Sequence, residues 1–404
     1  MPSISLTQAS SVTQASENCL GYRQSTPRGI ASATALAERL MRHNWDFPDS
    51  RGSGDIHAIH PYPAKFIPEI PRSLISDIGV PSGTAVLDPF CGSGTTLVEA
   101  QSLGHPSIGI DLNPIACLIA RAKTSPLPFG FAETAKRIVQ RARNASVQAL
   151  PSIPNLNHWF QRDVQECLAA LSQEIASMSA MPAIQDCLRL ALSAIIVRVS
   201  NQDSDTSYAA VKKSVDREKV FEFYTAACLR LAAATASLPF RCPDARVIQS
   251  DIMDVTPQMI DARVGLMITS PPYPNAYEYW LYHKYRMWWL GYDPIAVRQR
   301  EIGARAHYFR SKNIPTIDDF RRQMRYVLSL AKDVLVPRGH ICVIVGRSRI
   351  HGKDIDNASL IAEIAKELGY SAVARIERTI AAARKSFNLS HARIKTEELI
   401  VLGK

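Results

Sequence analysis

The stretch "TAVLDPFCGSGTT", residues 84–96, changes character halfway along its length. Residues 84–88 are mostly apolar or β-branched and end in an aspartate, a pattern typical of a buried strand. Two glycines, Gly92 and Gly94, follow before a helical pattern begins near Thr95. Because glycine has no Cβ, a ligand can approach the backbone of such a turn closely. The stretch predicts a strand, a tight turn and a helix, and the turn is either a ligand-binding loop or a plain connection.

A second unit of the same kind follows at once. The run "SIGID", residues 107–111, reads as a strand, and Asn113 with Pro114 supplies a good N-cap and first turn for the next helix. A β-α-β-α order indicates a parallel sheet covered by helices on both faces. The alternation then stops for more than a hundred residues, where runs such as "VQECLAALSQEIASM" have helical periodicity.

The strand and helix alternation resumes near residue 245. Strands are predicted at 245–251, 264–269 and 340–345, with two more, "SAVARIER" and "EELIVLG", near residue 404; helices are predicted near 277–290, 318–335 and 358–368. We therefore predict an α/β fold, a doubly wound Rossmann-like sheet with a mainly helical insert. Its catalytic domain would comprise residues 43–122 and 246–404, and the insert residues 123–245. Residues 1–42, rich in Ser, Thr, Gln and Ala, are expected to form a flexible N-terminal extension.

Composition narrows the class of protein. The chain has 404 residues, of which 46% are hydrophobic and 21% charged, as in a globular protein with a substantial core. No apolar run reaches the ~20 residues of a membrane span and no secretory signal is visible, so we expect a cytoplasmic protein. The eight cysteines include no CxxC pair, which argues against a metal site.

The net charge of +10 is concentrated in one part of the chain. Residues 280–404 contain 23 Lys and Arg against 12 Asp and Glu, whereas the remainder is close to neutral. A localised basic surface is typical of a polyanion-binding protein, most often one that binds nucleic acid. Solubility alone is the alternative explanation.

Acidic residues follow three of the predicted strands. Asp88, Asp111 and Asp251 each stand at or just beyond a strand's carboxyl end, where doubly wound sheets bind their ligands. A carboxylate at such a position can accept hydrogen bonds from ribose hydroxyls or from the amino group of an adenine. The lysine of a triphosphate-binding loop is absent, and so is the full G-x-G-x-x-G spacing. The pattern predicts a pocket for an adenosine with a zwitterionic tail.

The fourth predicted strand, 264–269, ends in the rigid turn "TSPPYP". Together, "DPFCGSGTT" and "TSPPY" resemble the cofactor and catalytic motifs of the S-adenosylmethionine-dependent DNA amino-methyltransferases. The segment "IHPYPAKFIPEIP", residues 59–71, resembles a third, cofactor-contacting motif of that family. The resemblance spans roughly residues 43–404 and implies S-adenosyl-L-methionine as the cofactor and double-stranded DNA as the substrate.

The resemblance also implies roles for particular residues. Asp111 would bind the ribose of the cofactor, and Asp251 with Ile252 would bind its adenine. The residues implied at the methionine end are Pro63, Ala64, Lys65, Phe66, Asp88, Phe90, Gly92, Gly94 and Thr95.

The catalytic residues implied are Ser270, Pro271, Pro272 and Tyr273. An exocyclic amine is a poor nucleophile, because its lone pair is delocalised into the base. The Ser270 side chain and the Pro271 carbonyl would accept its two hydrogens, and Tyr273 would stack on the base. The target base would have to leave the duplex, at a cost of a few kcal/mol. Within the family, serine before Pro-Pro-Tyr usually accompanies methylation of cytosine N4, so we predict a cytosine-N4-specific enzyme.

Two segments are candidates for contacting DNA. In the order of motifs found here, the insert at 123–245 occupies the place of a target-recognition region, and its polar run at 200–213 offers base-reading groups. The second candidate, within residues 298–325, mixes basic and aromatic side chains suited to phosphates and bases. Its predicted contact residues are Arg305, Tyr308, Arg310, Lys312 and Arg321.

Several alternatives stay open from the sequence. An adenine-N6 DNA methyltransferase differs from the favoured enzyme only in its target base. An RNA-directed methyltransferase or a non-catalytic nucleic-acid-binding relative would share the fold. The resemblance also raises the possibility of a cognate restriction endonuclease acting on the same site.

Overall fold

The strand predicted at the start of "TAVLDPFCGSGTT" lies inside a seven-stranded sheet within the described part of the chain. The computed structural model describes residues 33–48, 55–147, 149–178, 181–205, 207, 209–236, 243–274, 278–309, 314–350, 353–380 and 395–404. The strands in these residues are β1 (Ala85–Asp88), β2 (Ser107–Asp111), β3 (Ala245–Gln249), β4 (Val264–Thr269), β5 (Leu335–Gly346), β6 (Ser348–Ile350), β7 (Lys353–Ile355), β8 (Ser371–Thr379) and β9 (Thr396–Gly403).

The helices surround this sheet and fill the insert. Those before β3 are α1 (Ala33–Met41), α2 (Glu69–Ile78), α3 (Thr95–Ser102), α4 (Pro114–Thr124), α5 (Phe131–Asn144), α6 (Leu156–Trp159), α7 (Arg162–Ala176), α8 (Pro182–Val199) and α9 (Arg217–Thr235). Those after it are α10 (Pro257–Ile260), α11 (Tyr279–Trp289), α12 (Pro294–Arg300), α13 (Ile317–Val334) and α14 (Asn357–Glu367). Short 3₁₀ turns occur at Asp55–Ala58, Ile252–Asp254 and Arg305–Phe309.

The strand order is β3-β2-β1-β4-β5-β9-β8. Neighbours from β3 to β5 are parallel, and β9 is antiparallel to both β5 and β8. Successive strands are added outward in one direction from β1 to β3 and in the other from β4, so the order reverses between β1 and β4. Ligands of such sheets bind beyond the carboxyl ends of the strands at this reversal. The predicted doubly wound α/β fold is confirmed.

Alternate side chains of the central strands enter different cores. Val86 and Ile268 pack with α1 and α2 on one face of the sheet. Leu87, Met267 and Val343 pack with α13 and α14 on the other face. Because both faces are covered, β1 and β4 are apolar up to their last residues, and every residue of these two strands is buried.

The helical insert shares its core with the sheet domain. Residues from α5, α7, α8 and α9 form one apolar cluster with the buried face of α4 and with Trp280, Tyr285 and Trp289 of α11. The aromatic residues at 277–292 have helical spacing, which favours core positions for Trp280, Trp288 and Trp289. Trp280 and Trp289 are buried, while Trp288 is half-buried against the same cluster.

The predicted N-terminal extension is wrong for its last ten residues. Helix α1 begins at Ala33, and its Leu36 and Leu40 are buried against the sheet. Just beyond it, Trp45 is 2% exposed, and its carbonyl accepts a hydrogen bond from Arg378 Nε on β8 at 2.9 Å. In the sequence, the main signal for this helix was the spacing of these two leucines, which stand four residues apart. Residues 1–32 lie outside the described part of the chain.

Candidate functional site

The carboxyl ends of β1 and β4 are joined by a buried hydrogen bond. Asp88, which ends β1, is 2% exposed, and its Oδ1 accepts hydrogen bonds from the Thr269 hydroxyl at 2.8 Å and the Phe90 amide at 3.1 Å. Thr269 ends β4 and directly precedes Ser270. The turn that follows β1 and the turn that follows β4 therefore meet where the strand order reverses. Burial raises the pKa of Asp88 to about 6.

The glycine turn after β1 has a backbone that other residues adopt poorly. Gly92 and Gly94 have φ of +48° and +77°, in the left-handed region. A Cβ added to Gly94 would lie 2.9 Å from the Cα of Ala120, so α4 also requires glycine there. A Cβ on Gly92 would lie 3.2 Å from the ring of Tyr62, while the amide of Gly92 donates to Asp111 Oδ2 at 2.9 Å.

Asp111 fixes the turn and the end of β2. Its Oδ1 accepts from the Asn113 amide at 2.8 Å, in addition to the Gly92 bond to its Oδ2. Its backbone carbonyl accepts from the Ser250 amide at 3.0 Å, which ties the ends of β2 and β3 together. Burial raises the pKa of Asp111 to about 6. Each oxygen of a carboxylate can accept a second hydrogen bond, so Asp111 retains acceptor capacity for two hydroxyls.

The third carboxylate, Asp251, lies just after β3 and is paired with a residue that the sequence did not indicate. Its Oδ1 accepts from the Met253 amide at 3.0 Å, and its Oδ2 accepts from Arg300 Nε at 2.9 Å. Arg300 also contacts Asp254, which places its guanidinium across the 251–254 turn. Ile252 is 3% exposed within the core on the α13 face.

The "HPYPAKF" segment lies beside the glycine turn, and its place at the methionine end of a cofactor stays a prediction. Lys65 Nζ donates to the His57 carbonyl at 2.8 Å, so its ammonium tethers the segment to itself, and burial lowers its pKa. Ala64 has φ of +48° and is exposed, and the half-buried Phe66 packs on the α1 and α2 side of the sheet. Pro63 is buried.

Tyr62, which the sequence reasoning passed over, is the residue of this segment nearest the glycine turn. Its ring lies over Gly92 and stacks on Tyr279, with the two ring centroids 5.8 Å apart. Burial, together with the nearby Asp111, holds its pKa well above the usual range. Its place between two prolines in a cofactor-type motif was the signal that could have found it.

The turn after β4 begins with a polar side chain. Ser270 is half-buried, and its hydroxyl makes no hydrogen bond to any described residue. Pro271 is buried and Pro272 half-buried. Tyr273 is 9% exposed, and its hydroxyl donates to Glu397 Oε1 on β9 at 3.2 Å. The catalytic role of this turn and the stacking of Tyr273 on a base stay predictions.

The residues at these strand ends fit the predicted cofactor. Asp111 and Asp251 offer carboxylate oxygens to hydroxyl and amino donors, and Asp88 offers a buried negative charge to a cationic tail. The glycine turn between them carries no side chain at Gly92, and the Tyr62 ring lies over that residue. This set of anionic acceptors suits a cofactor that carries an ammonium and a sulfonium, and it is unsuited to phosphate groups.

The predicted DNA-contacting residues that the structure describes differ in their exposure and in their partners. Arg305 is exposed, and Tyr308 is half-buried with its pKa raised to about 12 by burial. Arg321 pairs with Glu363 of α14 at 2.7 Å. Arg310 and Lys312 lie outside the described residues.

The polar run at 200–213 is joined to α11 by an ion pair. Gln202 and Ala210 pair as an antiparallel bridge, and the fully buried Arg286 of α11 forms an ion pair with Asp205. Both candidate DNA-contacting segments therefore stay predictions.

The described residues contain neither a metal-binding cluster nor a membrane-spanning helix. No group of three or more His, Cys, Asp and Glu side chains is placed to hold a metal ion. No helix in this part of the chain is both long and apolar enough to span a membrane.

Comparison with known proteins gives a family-model match that includes the glycine turn, and several similar relatives. Residues 21–122 match the family model described as DNA methylase. Type II methyltransferase M.BsoBI of Geobacillus stearothermophilus is 24% identical over 276 residues, covering 60% of this chain and 54% of the relative. M.MvaI of Kocuria varians is 29% identical over 120 residues, covering 27% and 26%.

A third relative matches over a shorter stretch with higher sequence identity. Type II methyltransferase M.MjaII of Methanocaldococcus jannaschii is 48% identical over 69 residues, which is 17% of this chain and 13% of the relative. The matched regions span from 13% to 54% of the lengths of these three relatives. By its family-model match and these relatives, the chain is related to the DNA methyltransferases, a relationship that supports S-adenosyl-L-methionine as its cofactor.

Proposed function

We propose that the protein is a DNA methyltransferase that transfers the methyl group of S-adenosyl-L-methionine to the exocyclic N4 amine of cytosine. The observation that carries the proposal is the hydrogen bond between Asp88 and Thr269. It brings the glycine turn, which lies in the region matched to the DNA methylase family, beside the Ser-Pro-Pro-Tyr turn. A methyl donor held by the first turn would face an amine held by the second.

Three carboxylates would hold the cofactor. Asp111 would accept the ribose hydroxyls with the lone pairs that its bonds to Gly92 and Asn113 leave unused. Asp251 would accept the adenine amino group beside Ile252. Asp88 would face the ammonium of the methionine moiety, and the positive charge would favour its ionised form.

The catalytic turn would hold the target amine. The Ser270 hydroxyl, which is unpaired among the described residues, would accept one amino hydrogen, and the Pro271 carbonyl would accept the other. The two prolines fix the direction of these acceptors, so little reorganisation is needed when the base arrives. When bound, the cofactor would supply an electrophilic methyl group to the amine held by Ser270 and Pro271, and the proton lost by the amine would pass by way of these acceptors to water.

The choice of cytosine rests on Ser270. A hydroxyl accepts one amino hydrogen, as a carboxamide does, so the shape of the pocket must supply the rest of the discrimination against adenine. Within the family that the sequence resembles, serine at this place usually accompanies cytosine N4.

The test is expression of the chain in a host whose DNA carries no methylation. Host DNA is digested to nucleosides and weighed, and chromatography separates N4-methylcytosine from its carbon-5 isomer. We expect N4-methyldeoxycytidine at one sequence context, located by base-resolved sequencing. Finding only N6-methyladenine would overturn the cytosine assignment and retain a DNA amino-methyltransferase.

The matched control is the Ser270→Ala variant, which should lose the mark and still bind S-adenosyl-L-methionine in calorimetry. Methylated RNA with unmodified DNA would instead support the RNA-directed alternative.

A further inference from the structure

Glu301 is a buried acid that holds the first turn of α11. It is 7% exposed and lies in the loop just after α12. Its Oε1 accepts from the Tyr279 amide at 2.9 Å, and its Oε2 accepts from the Trp280 amide at 2.7 Å. The N-cap residue itself, Glu278, makes no capping hydrogen bond with its side chain. A residue more than twenty positions along the chain therefore satisfies two of the free amides of the helix start.

The loop that carries Glu301 also presses on the catalytic turn. Gly303 has φ of +73°, and a Cβ there would lie 2.7 Å from the carbonyl oxygen of Tyr273. In the opposite direction, Glu278 Oε1 accepts from the Ala306 amide at 2.9 Å. Contacts therefore join the loop 301–306 to Tyr273, before positions 275–277, and to Glu278, after them.

The neighbour of Glu301 reaches the cofactor side of the site. Arg300 donates to Asp251 at 2.9 Å. Tyr279, whose amide Glu301 binds, stacks on Tyr62, and Tyr62 lies over Gly92. Four consecutive residues, 300–303, therefore touch both the proposed adenine site and the chain that leaves the proposed target site.

We propose that Glu301 is a positioning residue for the methyl transfer, because it anchors to the start of α11 the loop whose Gly303 packs against the Tyr273 carbonyl. This inference rests on the proposed function. Glu301 touches neither reactant, and its effect would reach the Ser270–Tyr273 turn through the contact between Gly303 and Tyr273. Since a displacement of about 1 Å at a reacting centre can cost about 10²-fold in rate, a carboxylate that sets the position of this turn should govern kcat.

The protonation state of Glu301 should tune this hold. Burial raises its pKa to about 8, and its two amide bonds oppose the rise. The charged and titratable groups facing it are Asp111 at the end of β2, Glu278 before α11, and Tyr62. The ionised form accepts both amides, so the hold should strengthen as the pH rises through the pKa.

The central experiment compares wild type with Glu301→Gln on a duplex carrying the target site found by sequencing. Glutamine keeps one acceptor oxygen and turns an NH₂ group toward the other amide, so one bond becomes a repulsion. We expect kcat to fall about 10²-fold with little change in cofactor affinity. We also expect the wild-type kcat to rise with an ionisation near pH 8, and the variant to lack that step.

Two further variants separate positioning from simple helix capping. Asp216→Ala removes the carboxylate that caps α9 in the insert, where it accepts from the Lys219 amide, and should lower the melting temperature without changing kcat. Gly303→Ala pushes on the Tyr273 carbonyl from the same loop and should lower kcat as Glu301→Gln does. It also supplies the test if Glu301→Gln fails to fold.

The outcomes are distinct. A Glu301→Gln enzyme with wild-type kcat and an unchanged pH profile would overturn the inference and leave the proposed function intact. A wild-type chain that methylates no DNA would overturn both. A lowered kcat in Glu301→Gln and Gly303→Ala, with Asp216→Ala unaffected, would support the positioning role.

Discussion

Replacement of Asp88 by Asn should stabilise the protein at alkaline pH while impairing cofactor binding. Burial raises the pKa of Asp88 from its ordinary value of 3.8 to about 6, a rise of roughly two units. The folded protein therefore binds the Asp88 proton more tightly than the unfolded chain does, and stability falls as the pH rises from about 4 to about 6. At about 1.4 kcal/mol per unit, ionised Asp88 costs about 3 kcal/mol at pH 8.

Asparagine removes this cost and keeps the local contacts. The hydrogen bonds from Thr269 and Phe90 end on Oδ1, which the asparagine carbonyl oxygen can replace. The Thr96 hydroxyl, which also bonds the carboxyl of Asp88, can accept a hydrogen bond from the asparagine NH₂ group. We expect the free energy of unfolding of Asp88→Asn to exceed that of wild type by about 3 kcal/mol at pH 8 and by only about 1 kcal/mol at pH 4.5.

Urea unfolding at the two pH values measures this difference, and calorimetry measures S-adenosyl-L-methionine binding. The control Asp203→Asn, which removes an exposed carboxylate in the insert, should show little difference between the two pH values. Equal stability differences for Asp88→Asn at pH 4.5 and pH 8 would refute the reasoning, because they would show that the buried carboxylate is not penalised.

Three other predictions concern the rest of the site and the basic segment. Asp111→Ala should weaken S-adenosyl-L-methionine binding by ~1.5–3 kcal/mol in calorimetry with the fold retained, and unchanged affinity would mean that the pocket lies elsewhere. Gly94→Ala should lower the melting temperature more than Gly79→Ala. Both glycines have positive φ, but only a Cβ at Gly94 would lie 2.9 Å from Ala120. Equal losses would show that backbone strain alone, and not the contact with Ala120, sets the cost of both substitutions. Arg305→Glu should reduce the slope of log K against log salt for DNA binding by about one, for all sequences alike, and an unaltered slope would place the phosphate contacts elsewhere.

The sequence predicted the central strands of the sheet because β1, β2 and β4 are short, mostly apolar and followed by clear turn or cap residues. The predicted strand 264–269 has the same bounds as β4, since the Pro-Pro pair stops it. The N-cap predicted at Asn113 is present, with its side chain accepting from the Ile115 amide. Such signals act over two or three residues and can be read along the chain.

The parts that the sequence did not indicate depend on contacts between distant segments. Nothing near Glu301 announces that it caps a helix beginning at Tyr279, because the pairing exists only after α11 and α12 have folded against each other. Lys65 was predicted to lie at the methionine end of the cofactor, and the sequence did not indicate that its ammonium donates to the carbonyl of His57, eight positions earlier. Arg321, predicted to contact DNA, lies within reach of an acid on a different helix.

The position of β9 has a consequence for how the protein is made. This strand lies between β5 and β8 and follows both in the chain. Its Glu397 accepts the Tyr273 hydroxyl and pairs with Arg378 at 2.5 Å. During synthesis, the turn at Ser270 is made long before β9, whose Glu397 binds Tyr273. Until β9 is made, the edge of β5 that pairs with it has no hydrogen-bonding partner strand. A nascent chain should therefore be unable to modify DNA until β9 has emerged and inserted, which delays activity until the sheet is complete.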